Sequence, residues 1–213
     1  MISAAFAGLP PHGRGQRIGL LGGSFNPPHD GHRAASLLAL RRLELDRVWW
    51  LVSPGNPLKD TRHLPSIESR VAAAREVAAH PRIAISAYEQ ELGSRYTVDV
   101  IAAVQRHSPT VRFVWLMGSD AFVDFHLWRK WRSILQRIPL AIVDRPGSTL
   151  RATHARAAGA LAEARLPERS AARLADTQPP AFVFLHGRRS NLSSTTLRRE
   201  RGEDHAATTR GWS

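Results

Sequence analysis

Two histidines three positions apart, His29 and His32, close the segment Ile18-Gly-Leu-Leu-Gly-Gly-Ser-Phe-Asn-Pro-Pro-His-Asp-Gly-His-Arg33. Its apolar start, Ile18 to Leu21, reads as a buried strand, and Gly22-Gly23 with Ser24 and Phe25 as the turn that leaves it. After Pro27-Pro28 an Ala/Leu-rich helical pattern begins at about Gly31. Glycines let backbone approach a ligand with no Cβ in the way. A helix N-terminus offers unpaired N–H groups and a partial positive charge to an anion. Histidines at i and i+3 share one face of a helical turn. Together these parts describe a phosphate cradle carrying two imidazoles. Alone, such a pair is as easily a turn feature or part of a metal site. A zinc centre needs a third and usually a fourth ligand, however, and the chain has no cysteine and no carboxylate set at ligand spacing nearby.

Other candidates are spread along the chain. Ser193-Ser194-Thr195-Thr196-Leu197-Arg198 joins hydroxyls, the free N–H groups of a helix start and a guanidinium fork, which suits an anion; a plain helix cap is the blander reading. Lys59, in Ser53-Pro-Gly-Asn-Pro-Leu-Lys59, is one of only two lysines among 30 basic residues, the other being Lys130. Gly118 and Asp120 end an apolar run as ordinary turn residues would. Trp128 and Trp131 at i, i+3 in a helix would usually both be core.

Six apolar runs must position these groups: 18–21, 47–52, 82–86, 111–117, 139–143 and 181–185. Helical patterns fall between them near 31–43, 66–79, 97–107, 119–136 and 151–165, with Ser66 and Thr97 as expected N-caps. Short strands apolar on both faces, alternating with helices, predict an α/β fold, a Rossmann-like doubly wound parallel sheet with helices on both faces, in a single domain. Such sheets bind ligands beyond the carboxyl ends of their strands. Segments 22–32, 53–59, 118–120 and 187–198 each follow a strand, so one rim is expected to carry them all. Residues 1–16 read as a mobile leader, 17–199 as the domain and 200–213 as a polar tail.

The segment Gly22 to His32 resembles the signature loop of the nucleotidyltransferase superfamily marked by His-x-Gly-His. Leu192 to Arg198 resembles the same superfamily's distal Ser-Ser-Thr-x-x-Arg motif. Met117-Gly-Ser-Asp-Ala-Phe122, Trp128, Trp131 and Ile142-Val-Asp-Arg-Pro-Gly147 resemble one branch, the bacterial nicotinate-nucleotide adenylyltransferases. The match runs in order from about Ile18 to Arg198.

The resemblance implies transfer of adenylate from ATP to nicotinate mononucleotide, giving nicotinate adenine dinucleotide and pyrophosphate. It implies that Gly22, Gly23, Ser24, Phe25, His29, His32, Gly118, Asp120, Ser194, Thr195 and Arg198 hold ATP, with His29, His32 and Arg198 catalytic. Ser24, Lys59, Tyr96, Thr97 and Trp128 are implied for the nicotinate nucleotide, Trp128 lying against the pyridine ring. Magnesium is expected on the ATP phosphates, with no dedicated protein ligand.

The formal charge of +12 invites a nucleic-acid reading, but the arginines are scattered, and a basic surface also suits polyphosphate substrates. No nucleic-acid partner is expected. No apolar run approaches the roughly 20 residues of a membrane span, and Met1 to Pro10 lacks the basic start of a signal peptide, so a cytoplasmic protein without a membrane partner is expected. Oligomeric state stays open. The nearest rival keeps the fold and changes the acceptor to nicotinamide mononucleotide or phosphopantetheine. A basic nucleic-acid-binding protein and a metal-dependent hydrolase are the rivals of other classes.

Overall fold

The computed structural model describes residues 8–55, 64–144 and 149–187. Its centre is a sheet of β1 (Arg17–Gly23), β2 (Arg47–Val52), β3 (Ile83–Ser86), β4 (Arg112–Gly118), β5 (Leu140–Val143) and β6 (Phe182–Leu185). The strand order is β3-β2-β1-β4-β5-β6, and every pairing is parallel. Both faces are apolar because both are covered. Ile18, Leu20, Trp49, Trp115 and Phe182 face one layer of the core. Leu21, Trp50, Leu116 and Val183 face the other. The order reverses between β1 and β4, which makes the carboxyl end of β1 the switch point.

One layer is built on α1 (Asp30–Arg42) and α2 (Ile67–Ala78), the other on α4 (Thr97–His107) with shorter pieces. Ser66 caps α2 as expected, its hydroxyl accepting from Ser69 N–H at 3.2 Å. Thr97 is not a cap: it opens α4, and Tyr96 is the N-cap, with no side-chain bond. Ser94 serves this helix start instead, accepting from Tyr96 N–H and donating to Asp99 Oδ2 at 2.9 Å. A short helix, α3 (Tyr88–Glu91), follows β3, where no element was expected.

The expected helix over 119–136 is three pieces: α5 (Ser119–Val123), a 3₁₀ turn (Phe125–Leu127) and α6 (Trp131–Leu135), with Lys130 left-handed at φ 51°. Phe122, Phe125, Trp128 and Trp131 recur every third residue, and a period of three matches a 3₁₀ turn better than a 3.6-residue helix. Trp128 therefore lies between elements rather than inside a helix. The pattern near 151–165 also divides, into α7 (Thr149–Thr153), α8 (Arg156–Ala160) and a 3₁₀ turn (Ala162–Ala164). Alanine side chains are too small to define one strong face, so packing sets the breaks.

Residues 8–16 pack on the domain. Ser86 Oγ donates to Gly8 O, Gly15 N–H donates to Thr110 O, and the His12 ring lies edge-on to Trp49 at 5.2 Å. Among the described residues no helix is long and apolar enough to cross a membrane.

Candidate active site

Both histidines sit at the start of α1, held there by backbone. His29 is the N-cap: Gly31 N–H donates to its Nδ1 at 3.1 Å, and His29 N–H donates to Nδ1 of His32 at 3.2 Å. This is a reciprocal cap in which imidazoles replace the usual hydroxyl and carboxylate. The chemical consequence is a tautomer. An Nδ1 that accepts an N–H carries no proton, so each neutral ring bears its proton on Nε2, an atom that in His29 is buried. His29 is buried and His32 half-buried, with ring centroids 3.9 Å apart.

The loop leading to them is braced by aromatic packing. Phe25 has φ 46°, a left-handed conformation that a bulky residue adopts only when its surroundings enforce it. Its ring stacks on Trp50 at 5.0 Å and meets His32 at 4.8 Å. Trp50 in turn donates from Nε1 to Ser36 Oγ, which donates to His32 O.

Gly22 has a packing reason to lack a side chain. A Cβ there would lie 2.7 Å from Cη2 and 2.9 Å from Cζ2 of Trp115, a rigid ring in the core. Gly22→Ala is expected to destabilise the protein by about 1–3 kcal/mol and to push the loop from its place. Thermal unfolding and turnover of the variant check both.

Gly118 ends β4 beside the switch point, and with His32, Ala35, Leu21, Met117 and Val143 it lines a crevice between the strand ends and α1. Asp120 is exposed one residue into α5. Trp115 connects this crevice region to the tryptophan pair: it packs against Gly22 and meets Trp128 edge-to-face at 6.5 Å. Trp131 is buried, as the core reading requires, while Trp128 is half-buried and held at 5.2 Å from Phe125. Tyr96 and Thr97 open α4, and the Arg129 guanidinium lies 4.4 Å over the Tyr96 ring. Gly22, Gly23, Ser24, Phe25, His29, His32 and Gly118 thus share the rim around the switch point. Lys59, Ser194, Thr195 and Arg198 lie outside the described residues.

Two charged residues here gave no functional signal in the sequence. Arg70 of α2 is buried and reaches the loop backbone; its spacing from Ile67 and Ala74 on an apolar helix face was the available clue. Glu89, on α3, is 5 % exposed, with an oxygen 3.9 Å from where a Gly22 Cβ would stand. Burial pushes its carboxyl from an ordinary 4.5 to about 8. The folded protein therefore holds a proton that the unfolded chain has already lost between those values, and stability falls as pH rises through that window, levelling above it. Glu89→Gln is expected to abolish this slope. Melting temperatures of parent and variant should converge near pH 5 and separate toward pH 8, with the variant higher.

Residues 20–200 match the family model described as cytidylyltransferase-like. A protein of Bradyrhizobium sp. (strain BTAi1), carrying the name "Probable nicotinate-nucleotide adenylyltransferase", is 58% identical over 87% of this chain and 97% of its own length. Proteins of the same name from Methylorubrum extorquens and Brucella suis biovar 1 are 56% and 51% identical, each over 85% of this chain and over 98% and 94% of their own lengths. The fold is shared with Plasmodium falciparum nicotinic acid mononucleotide adenylyltransferase complexed with NaAD, at a TM-score of 0.61 and 16% identity, covering 86% of this chain and 83% of that one. The chain belongs to the cytidylyltransferase-like family and, within it, to the nicotinate-nucleotide adenylyltransferases.

Proposed function

We propose that this protein joins ATP and nicotinate mononucleotide, giving nicotinate adenine dinucleotide and pyrophosphate. An oxygen of the mononucleotide's 5′-phosphate attacks the α-phosphorus of ATP in line. A new P–O bond forms, and the bond from the α-phosphorus to the bridging α–β oxygen breaks. Pyrophosphate leaves with that bond's electron pair and with Mg²⁺, which enters as part of the MgATP substrate. The attacking phosphate is already anionic and pyrophosphate is a competent leaving group, so no protein acid–base pair is required. The protein's work is alignment and stabilisation of charge on the phosphate oxygens.

The observation that carries this reading is the tautomer of the two histidines. Each Nδ1 accepts a backbone N–H at the start of α1, which leaves the proton of a neutral ring on Nε2 beside the sheet's switch point. In this reading half-buried His32 meets the triphosphate oxygens with buried His29 beside it at the helix start, and Gly22 and Gly23 let the backbone of the loop approach, with Ser24 and Phe25 shaping it. Gly118 and Asp120 take the ATP ribose. Lys59 and Arg198 add positive charge, and Ser194 and Thr195 hydroxyl donors, for the phosphates. Trp128 stacks on the pyridine ring, and Tyr96 and Thr97 hold its carboxylate.

Pyrophosphate release measured side by side with nicotinate mononucleotide, nicotinamide mononucleotide and phosphopantetheine tests the assignment. Nicotinate mononucleotide is expected to be turned over with the highest kcat/KM. Preference for either of the others would reassign the acceptor.

A further inference from the structure

We propose that Arg70 is a positioning residue for this reaction, clamping the loops after β1 and β2 into the arrangement that aims the histidine pair. The inference rests on the adenylyl-transfer reading above.

Arg70 projects from the apolar face of α2 and is 4 % exposed. Its guanidinium reaches three carbonyls on three separate segments. Nη1 donates to Ser53 O at 2.7 Å, at the end of β2, and to Ser24 O at 2.8 Å, in the loop after β1. Nε donates to Pro65 O at 3.0 Å, on the approach to α2. Among the described residues no carboxylate bonds to it. Burying an unpaired cation is unfavourable, and burial does pull the Arg70 pKa down, yet a guanidinium stays protonated. Lysine, a point charge, lacks the planar fork that spans several acceptors at once.

The contacts form a chain that ends at the proposed chemistry. Ser53 N–H already donates to Gly23 O at 2.9 Å, so the two loops run together beyond the strands, and Arg70 binds the next carbonyl of each. Ser24, whose carbonyl it holds, immediately precedes left-handed Phe25. The Phe25 ring is packed between Trp50 and His32. Releasing Ser24 O frees the strained turn, and the His32 ring loses the wall that orients it. A displacement of about 1 Å in such a site costs about a hundredfold in rate, with little change in the binding of substrate parts that lie elsewhere.

The test uses the full-length protein and the variants Arg70→Lys, Arg70→Met and Arg70→Ala, with folding checked by circular dichroism and thermal unfolding. Folded Arg70→Lys is expected to lose about tenfold or more in kcat, and Arg70→Met about a hundredfold. KM for nicotinate mononucleotide should move less than threefold in both. Methylguanidinium added to Arg70→Ala should restore kcat, while ethylammonium should not. A merely structural arginine would lower the melting temperature and leave kcat per folded molecule alone, so folded variants within twofold of the parent kcat overturn the proposal. If Arg70→Met and Arg70→Ala do not fold, Arg70→Lys decides alone by the same criterion. Should Arg70→Lys also fail to fold, the residue's role is one of stability and the proposal falls. A parent enzyme making no dinucleotide sinks the reaction and this inference together. A parent that turns over beside full-rate variants sinks the inference only.

Discussion

Replacing His32 with alanine is expected to lower kcat/KM about 100- to 1,000-fold, the usual effect of removing one preorganised donor from a developing oxyanion. The fold should survive. His32 is half-buried at the third position of α1, where its Nδ1 accepts one backbone N–H, and loss of a cap costs about 1 kcal/mol. His29 separates the two roles more sharply. It is the N-cap itself and is buried, so His29→Ala combines lost activity with lost stability. Asparagine is among the preferred N-cap residues, so His29→Asn restores the cap but places no donor where Nε2 stood. Its melting temperature should return toward the parent value while turnover stays low. Steady-state kinetics with thermal unfolding on the three variants checks the separation. Recovery of turnover in His29→Asn would show that the ring's part is only the cap.

The second large effect is expected at Trp128. Removing an aromatic platform beneath a base loses about 1–3 kcal/mol, so Trp128→Ala should raise KM for nicotinate mononucleotide by about ten- to a hundredfold. KM for ATP should hold, and kcat should change little, because stacking on a remote ring serves ground and transition states alike. Trp128→Phe should recover most of the loss. The ring is suited to this role by what supports it. Edge-to-face contacts to Trp115 and Phe125 fix its plane, and its half-exposed state leaves surface for a ligand. A Trp128→Ala variant with unchanged KM for the mononucleotide would remove it from the acceptor site.

The legible part of this protein was its sheet. Each strand is a short continuous apolar run, and all six appear within one or two residues of the expected places, because a strand covered on both faces has no polar register to confuse the reading. Parallel pairing then puts the described loops after β1, β2 and β4 on one rim, as the alternation of elements implied. Helices were harder wherever the apolar signal was not helical in period. Aromatics at every third residue from Phe122 to Trp131 produced a 3₁₀ break that a helical template overlooked. Thr97 looked like a cap by type, yet the residue serving the backbone N–H groups is Ser94, upstream of the turn.

At the site, residue types identified the histidine pair, but their tautomers depend on bonds to backbone at the N-cap and first turn of α1 that no pattern specifies. Arg70 and Glu89 escaped for a shared reason. Charged residues are expected outside, and only the packing of α2 and α3 turns these two inward. Both then acquire properties from burial, an arginine with three carbonyl partners and a carboxyl that keeps its proton at neutral pH.

The central claim is that one triphosphate, gripped at the start of α1, is attacked at its α-phosphorus by a nicotinate nucleotide. Phosphorus NMR of the purified protein with ATP, Mg²⁺ and nicotinate mononucleotide observes this directly. The account predicts that dinucleotide diphosphate resonances and pyrophosphate grow in equal amounts as ATP and the mononucleotide monophosphate signals decline. A folded protein that instead yields ADP and inorganic phosphate, or leaves the spectrum unchanged, contradicts it.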